Sequence, residues 1–356
     1  MLTYLLLLLN ISGGQINSKL IIPVQTTSVI AQESPSSTQT IDCSSEALKS
    51  AESGATLAEQ NDFSGAVANF TQAIELGCDT AQIYYNRGRS YTFLQDFSKA
   101  IKDFDKAIAL DSNYATAYNN RGFIRLETGQ TQAAYDDFDR ALQIDPTLIE
   151  VYFNRGRAAA SLGEYQKAIE DYTKVIEANP NSPQVYNLRG VARSLSGDSQ
   201  GAIDDQTKAI ELDPQFANAY TSRGIDKSIL RKHAEAIEDY SRALELNPNV
   251  AETYNSRGVD RRALQDYAGA IADFNRALEL KPQLADTYYN RAIVHYQNGD
   301  RADALKDLEQ AADLAKSQNN EYLHSLTVKL TAIVKNPSSN PNIDFPPEAR
   351  PNTSEN

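Results

Sequence analysis

The chain has 356 residues, a formal net charge of −13, 41% hydrophobic residues, no tryptophan and only two cysteines. So acidic a balance argues against nucleic acid and anionic lipid as main partners, because phosphates demand a basic surface. The length would make two or three globular domains, unless the chain is an array whose units bury surface only against their neighbours.

The first 31 residues read as a targeting segment. Tyr4 to Leu9 form an apolar run too short to span a bilayer, and Val29-Ile30-Ala31 offers small residues suited to cleavage. We therefore expect export, to a bacterial periplasm or comparable lumen, with no membrane span in the mature chain. The alternative is a leader without a targeting role. Residues 32–46 read as linker, rich in Ser, Thr and Gln at their start. Ser44 and Ser45 precede Ala47-Leu48 and suit a helix N-terminus, where a hydroxyl accepts from orphan amides.

From there the chain is periodic. Arg-Gly recurs at Arg87-Gly88, Arg121-Gly122, Arg155-Gly156, Arg189-Gly190, Arg223-Gly224 and Arg257-Gly258, always 34 residues apart, and Arg291-Ala292 keeps the spacing. A tyrosine precedes each pair at a constant offset, from Tyr84 to Tyr288. In the copy 81–114, Ala81 to Leu94 has helical spacing of Tyr84, Gly88 and Tyr91. Gln95-Asp96 is a turn. Phe97 to Leu110 is a second helix with Ala100, Ile101, Phe104, Ala107 and Ile108 on one face. Later copies stop at Pro146, Pro180, Pro214, Pro248 and Pro282, since proline cannot continue a helix interior. Gly88 and Ala100 recur in register, where bulk would hold two helices apart.

These positions resemble the tetratricopeptide repeat family: an aromatic at the fourth place of a 34-residue unit, small residues at the eighth and twentieth, an aromatic at the twenty-fourth, Ala at the twenty-seventh and Pro at the thirty-second. Eight units follow: 47–80, 81–114, 115–148, 149–182, 183–216, 217–250, 251–284 and 285–318. The resemblance implies an all-α, right-handed superhelical solenoid of helix-turn-helix repeats, whose concave groove is lined by the first helix of each pair. An apolar stripe of Tyr322, Leu323, Leu326, Leu330, Ile333 and Val334 makes residues 319–335 a C-terminal capping helix. Residues 336–356 read as a disordered tail rich in Pro, Ser and Asn.

Arg at the seventh position departs from the family's usual apolar residue, and Asp accompanies it at the twenty-third in the same seven units. Arg87 with Asp103, Arg121 with Asp137 and Arg155 with Asp171 begin the series. An arginine on a packed face needs a carboxylate, so we expect an Arg–Asp ladder that sets register rather than net stability. The rival is a basic binding strip. Asn86, Asn120, Asn154 and Asn290 share the sixth position, interrupted by Leu188, Ser222 and Ser256. They resemble the asparagine ladder by which some members of the family grip peptide backbone, since an amide both donates and accepts. Tyr85, Arg89, Asn119, Phe153 and Arg157 are the neighbouring groove candidates. The bland reading of these asparagines is a solvated helix face.

Cys43 and Cys78 flank the first unit, at ends that lie side by side in a hairpin. They are expected to form a disulfide; the alternative is two free thiols. Gly197-Asp198-Ser199-Gln200-Gly201 matches the nucleophile-elbow pattern but falls at a helix–helix turn. His233, His295 and His324 have no metal-ligand spacing. We expect no enzyme activity and no cofactor. The expected function is a non-catalytic scaffold that binds a protein or peptide segment in the concave groove, with an exported assembly factor as its finer form. The alternatives are an oligomerising module, or glycan and small-ligand binding on Tyr85, Phe153 and Tyr289. Finally, Ser199 and Gln206 replace the aromatics of other units. Units 183–216 are therefore expected to show faster amide exchange than units 149–182 and 217–250, and equal protection of all three would contradict this.

Overall fold

The computed structural model describes residues 43–336; the targeting segment, the linker up to residue 42 and the tail from residue 337 lie outside the described residues. Seventeen α-helices and no strand are found among the described residues. The chain divides into two compact units at Pro180/Asn181.

The first unit holds four helical hairpins: α1 (Ser45–Glu59) with α2 (Phe63–Glu75), α3 (Ala81–Phe93) with α4 (Phe97–Leu110), α5 (Ala115–Glu127) with α6 (Thr131–Ile144), and α7 (Ile149–Ser161) with α8 (Tyr165–Ala178). Within this unit each hairpin packs on the next through its second helix and the following first helix. The second unit repeats the plan with α9 (Pro183–Leu195) and α10 (Ser199–Leu212), α11 (Ala217–Ile229) and α12 (His233–Leu246), α13 (Ala251–Ala263) and α14 (Tyr267–Leu280), α15 (Ala285–Gln297) and α16 (Arg301–Ser317). It ends in α17 (Glu321–Lys335). The protein is thus an all-α array of tandem helical repeats. α1 begins at Ser45, inside the stretch read as linker, because the Ser44 hydroxyl accepts from the Ala47 amide at 3.1 Å and opens the helix early.

Every hairpin turns on one device. The fifteenth residue of each unit has a left-handed backbone: Gly129, Gly163, Gly197 and Gly299 where glycine makes it costless, and Asn61, Gln95, Arg231 and Gln265 elsewhere. The next residue starts the second helix. At Asp62, Asp96, Asp198 and Asp266 its carboxylate accepts the amide three residues on, whereas Asp300 makes no such bond. The G-x-S-x-G match is such a turn. Gly197 supplies the left-handed residue, Asp198 caps α10 through the Gly201 amide, and Ser199 is buried.

The cores are made of alanines and, in six hairpins, one large ring, with Phe70, Phe104, Phe138, Tyr172, Tyr240 and Phe274 fully enclosed; Gln206 and Leu308 take that place in the α9/α10 and α15/α16 hairpins. Gly122 shows why the eighth position is small: a Cβ there would stand 2.8 Å from the Phe138 ring. At the far end of the second unit, Leu323, Leu330 and Val334 of α17 cover Ala304, Leu308, Ala311 and Ala315 of α16. No described helix is long and apolar enough to cross a membrane.

Cys43 and Cys78 are joined by a disulfide, with Cα atoms 4.8 Å apart across a sequence separation of 35. Cys43 packs with Cys78, Ala47, Ala51 and Phe70 in the first hairpin's core. Closing a loop of that length stabilises the first hairpin by about 3–4 kcal/mol in the chain-entropy account. Reduction should therefore expose the amides of α1 and α2 to exchange first, with those of α5 and α6 slower to respond. Mass-spectrometric exchange with and without reductant checks this, and unchanged protection of α1 and α2 would count against it.

Candidate functional site

The recurring arginine organises the seven hairpins from α3/α4 onward; the first has Ser53 in its place. Nε and Nη2 of Arg87 donate to the two carboxylate oxygens of Asp103, both at 2.8 Å. Arg121 with Asp137, Arg155 with Asp171, Arg189 with Asp205, Arg223 with Asp239, Arg257 with Asp273 and Arg291 with Asp307 repeat this fork. Each guanidinium also lies over the tyrosine three residues before it, at 5.4 Å for Tyr84 and 5.7 Å for Tyr220. The third nitrogen reaches the preceding hairpin: Nη1 of Arg87 donates to Thr71, of Arg121 to Asp105, of Arg155 to Asp139, of Arg223 to Thr207, of Arg257 to Ser241 and of Arg291 to Asn275. A second cation joins some of the carboxylates, as Arg125 does on Asp137 at 2.8 Å, Arg193 on Asp205, Lys227 on Asp239 and Arg261 on Asp273. All seven aspartates are buried. The Asp307 hydrogen bonds hold the Arg291 guanidinium above its ordinary value. These arginines are thus engaged inside the array, and no basic strip is made of them.

The sixth-position asparagines are also engaged. Asn120 donates to the Tyr85 hydroxyl at 3.2 Å, Asn154 to Asn119 Oδ1 at 3.1 Å and Asn290 to Asn255 Oδ1 at 3.1 Å. In each case an amide of one hairpin fastens the fifth-position residue of the hairpin before it. Asn119 and Asn120 are 5% exposed and offer a ligand little surface. Asn86, on the first of these hairpins, accepts from Gln82 at 3.2 Å and is half-buried. The separation is 35 residues in all three pairs, but the residue that accepts changes from Tyr85 to Asn119 and Asn255, so residue type in the sequence did not signal the fastening role.

What remains accessible on the first-helix face of the Cys43–Pro180 unit is a strip across α3, α5 and α7. The Arg89 guanidinium lies 5.8 Å from the centre of the Tyr85 ring, which in turn packs on Tyr114 at 4.8 Å. The Tyr114 hydroxyl donates to Gln82 at 2.7 Å. Phe153 rests against Tyr172 at 6.4 Å, and Arg157 pairs with Glu127 at 3.0 Å across two hairpins. Arg89, Tyr85, Phe153 and Arg157 are all half-buried. Of the three rings suggested for sugar stacking, Tyr289 is 8% exposed within the core around Leu308 and presents no open face.

Sequence comparison accords with this architecture. Tetratricopeptide repeat profiles match residues 81–114, 115–148, 149–182, 183–216, 217–250 and 285–317, and a further TPR repeat profile matches 260–299. The chain belongs to the tetratricopeptide repeat family. Comparison with curated proteins gives no match. Among solved structures, it is similar to a tetratricopeptide repeat protein from Parabacteroides merdae, at 19% identity over 70% of this chain and 98% of that one, with a TM-score of 0.57. It is also similar to the C-terminal part of a TPR repeat-containing protein from Cytophaga hutchinsonii, at 20% identity over 67% and 97% of the two chains, with a TM-score of 0.55. At these identities the likeness is one of fold.

Removing one partner from a buried fork leaves a charge with nothing to answer it, at a cost of about 3–5 kcal/mol. Asp103→Leu should therefore destabilise the α3/α4 hairpin by that order in a denaturant titration, while Arg87→Met with Asp103→Leu should recover most of it. A single variant as stable as the parent would mean that the fork carries no structural role.

Proposed function

We propose that the chain is a non-catalytic scaffold that holds an extended segment of a partner protein against the first-helix face of its N-terminal unit. Membership of a family built for protein interaction supports the general reading. The observation that carries the finer one is the strip of α3, α5 and α7, where Arg89 on Tyr85, Phe153 and Arg157 alternate cation and ring. Cationic and aromatic side chains, partly desolvated on a rigid framework, are the residues that dominate protein interfaces. The net charge of −13 favours a partner of basic overall character, while the two arginines provide local points for its carboxylates or carbonyls. Export as an assembly factor is part of the proposal, supported by the Cys43–Cys78 bond, because disulfides persist in oxidising compartments.

The test is affinity capture from native extract with the mature chain, beside a variant carrying Arg89→Ala, Phe153→Ala and Arg157→Ala. These positions are chosen because Asn120 and Asn154 fasten neighbouring hairpins, and changing them would loosen the framework itself. A partner retained by the parent should be lost or weakened at least about tenfold by the variant, whose helical content at the capture temperature should match the parent's although the lost Phe153–Tyr172 and Arg157–Glu127 contacts lower its melting temperature. Equal retention by both, or recovery of the bait alone, would overturn the proposed site.

A further inference from the structure

The tenth residue of each first helix enters the seam with the second helix of the preceding hairpin. Ile124 does so in the first unit, against Phe97 and Phe104. In the second unit Val294 does so against Tyr267 and Phe274. Two seams of that second unit break the rule. Asp226 of α11 and Asp260 of α13 stand at the tenth position, and both are 0% exposed. The facing positions have changed with them: Ser199 and Gln206 of α10 meet Asp226, and His233 of α12 meets Asp260.

The two carboxyls are served differently. Asp260 Oδ1 is in contact with His233 Nδ1 at 2.5 Å and accepts from Ser228 Oγ at 2.8 Å, and the positive charge of Arg262 acts on it as well. Among the described residues no cation pairs with Asp226. Gln206 Nε2 donates to its Oδ2 at 2.9 Å, and the hydroxyls of Ser194 from α9 and Ser199 from α10 border it. The charged group that acts on it is Asp198, of like sign, at the N-terminus of α10. Lys227, its neighbour on α11, is turned to Asp239 of α12, and Arg261 of α13 to Asp273. Asp226 Oδ1, Gln206 Oε1 and Ser194 Oγ are buried without a hydrogen-bond partner, and so is Asp260 Oδ2, so it is the missing cation that sets Asp226 apart. A carboxylate so placed bears the desolvation cost of its charge with one oxygen unanswered. A carboxylic acid in the same place turns that oxygen into a donor beside hydroxyl acceptors.

We infer that the α10/α11 seam is a proton-responsive joint, closed when Asp226 is protonated and loosened when it is charged. Burial first, and the Asp198 charge in addition, push this carboxyl up from 3.8 to about 6, against the pull of the neighbouring hydrogen bonds. The folded chain then holds the proton more tightly than the unfolded one. The stabilisation is complete below about 4 and is lost as pH rises through about 6. This runs opposite to ordinary acid denaturation, so the seam is firmest in weakly acidic solution.

Amide exchange of the full chain at pH 5 and pH 8, corrected for the intrinsic rate, reads the joint directly. Protection of α11 should fall by roughly tenfold between the two conditions, because pH 5 lies about one unit below the folded-state value of about 6, while α15 in its apolar seam serves as reference. Asp226→Asn should remove this response and give α11 nearly equal protection at both pH values. Equal protection of α11 at both pH values in the parent, or an undiminished response in Asp226→Asn, would overturn the inference. Should the variant not fold, carboxyl carbon NMR of the parent decides: a resonance that titrates near pH 6 supports the joint, and one that titrates in the ordinary carboxylate range refutes it.

Discussion

From the second repeat onward, the array depends on the guanidinium at the seventh position, which the first repeat replaces by Ser53. It is too deep to be left alone and too large to be ignored, so a carboxylate must face it on the second helix. The fork between Arg87 and Asp103, repeated through Arg291 and Asp307, accepts only one rotation and one height of the two helices. Its planar geometry and the tyrosine beneath it set the hairpin, and the third nitrogen carries that setting to the hairpin before. An apolar residue would pack as well but would tolerate sliding. The ion pair costs desolvation and returns a defined register, which an array needs because an error in one unit is passed to the next.

With the frame settled by buried groups, the first-helix face is free to differ from unit to unit. Its polar residues nonetheless serve two purposes. Asn120, Asn154 and Asn290 turn an amide towards the previous hairpin and behave as fasteners. Arg89, Tyr85, Phe153 and Arg157 leave surface towards solvent and supply the chemistry from which recognition is built. The same face thus joins neighbours and, in the proposed function, meets a partner, and residue type alone does not say which side chain does which.

The second unit shows how a regular array acquires local character. Replacing one apolar contact at the tenth position by a carboxyl, as at Asp226 and Asp260, converts a seam that only resists opening into one whose strength follows its protonation and hydrogen bonding. The substitution is tolerated because the fork of each hairpin lies elsewhere and remains intact around it, in Arg223–Asp239 and Arg257–Asp273.

The helices, their turns and their repeat length were legible in the sequence, since a 34-residue period, glycines at the turns and prolines after the second helices act through short-range backbone sterics. The constant offset between Arg87 and Asp103 was legible for the same reason, both partners belonging to one hairpin. The start of α1 behind Ser44 was legible too, while the residues that take the third bond of six of the arginines, the Asn154–Asn119 link, the burial of Tyr289 and the meeting of Gln206 with Asp226 were not. These rest on which residue of one helix faces which residue of another. Local propensity determined what each segment is, while only the packing of helix on helix decided which polar groups are spent within the fold and which are left for a partner, because a side chain's environment is made by residues distant in the chain.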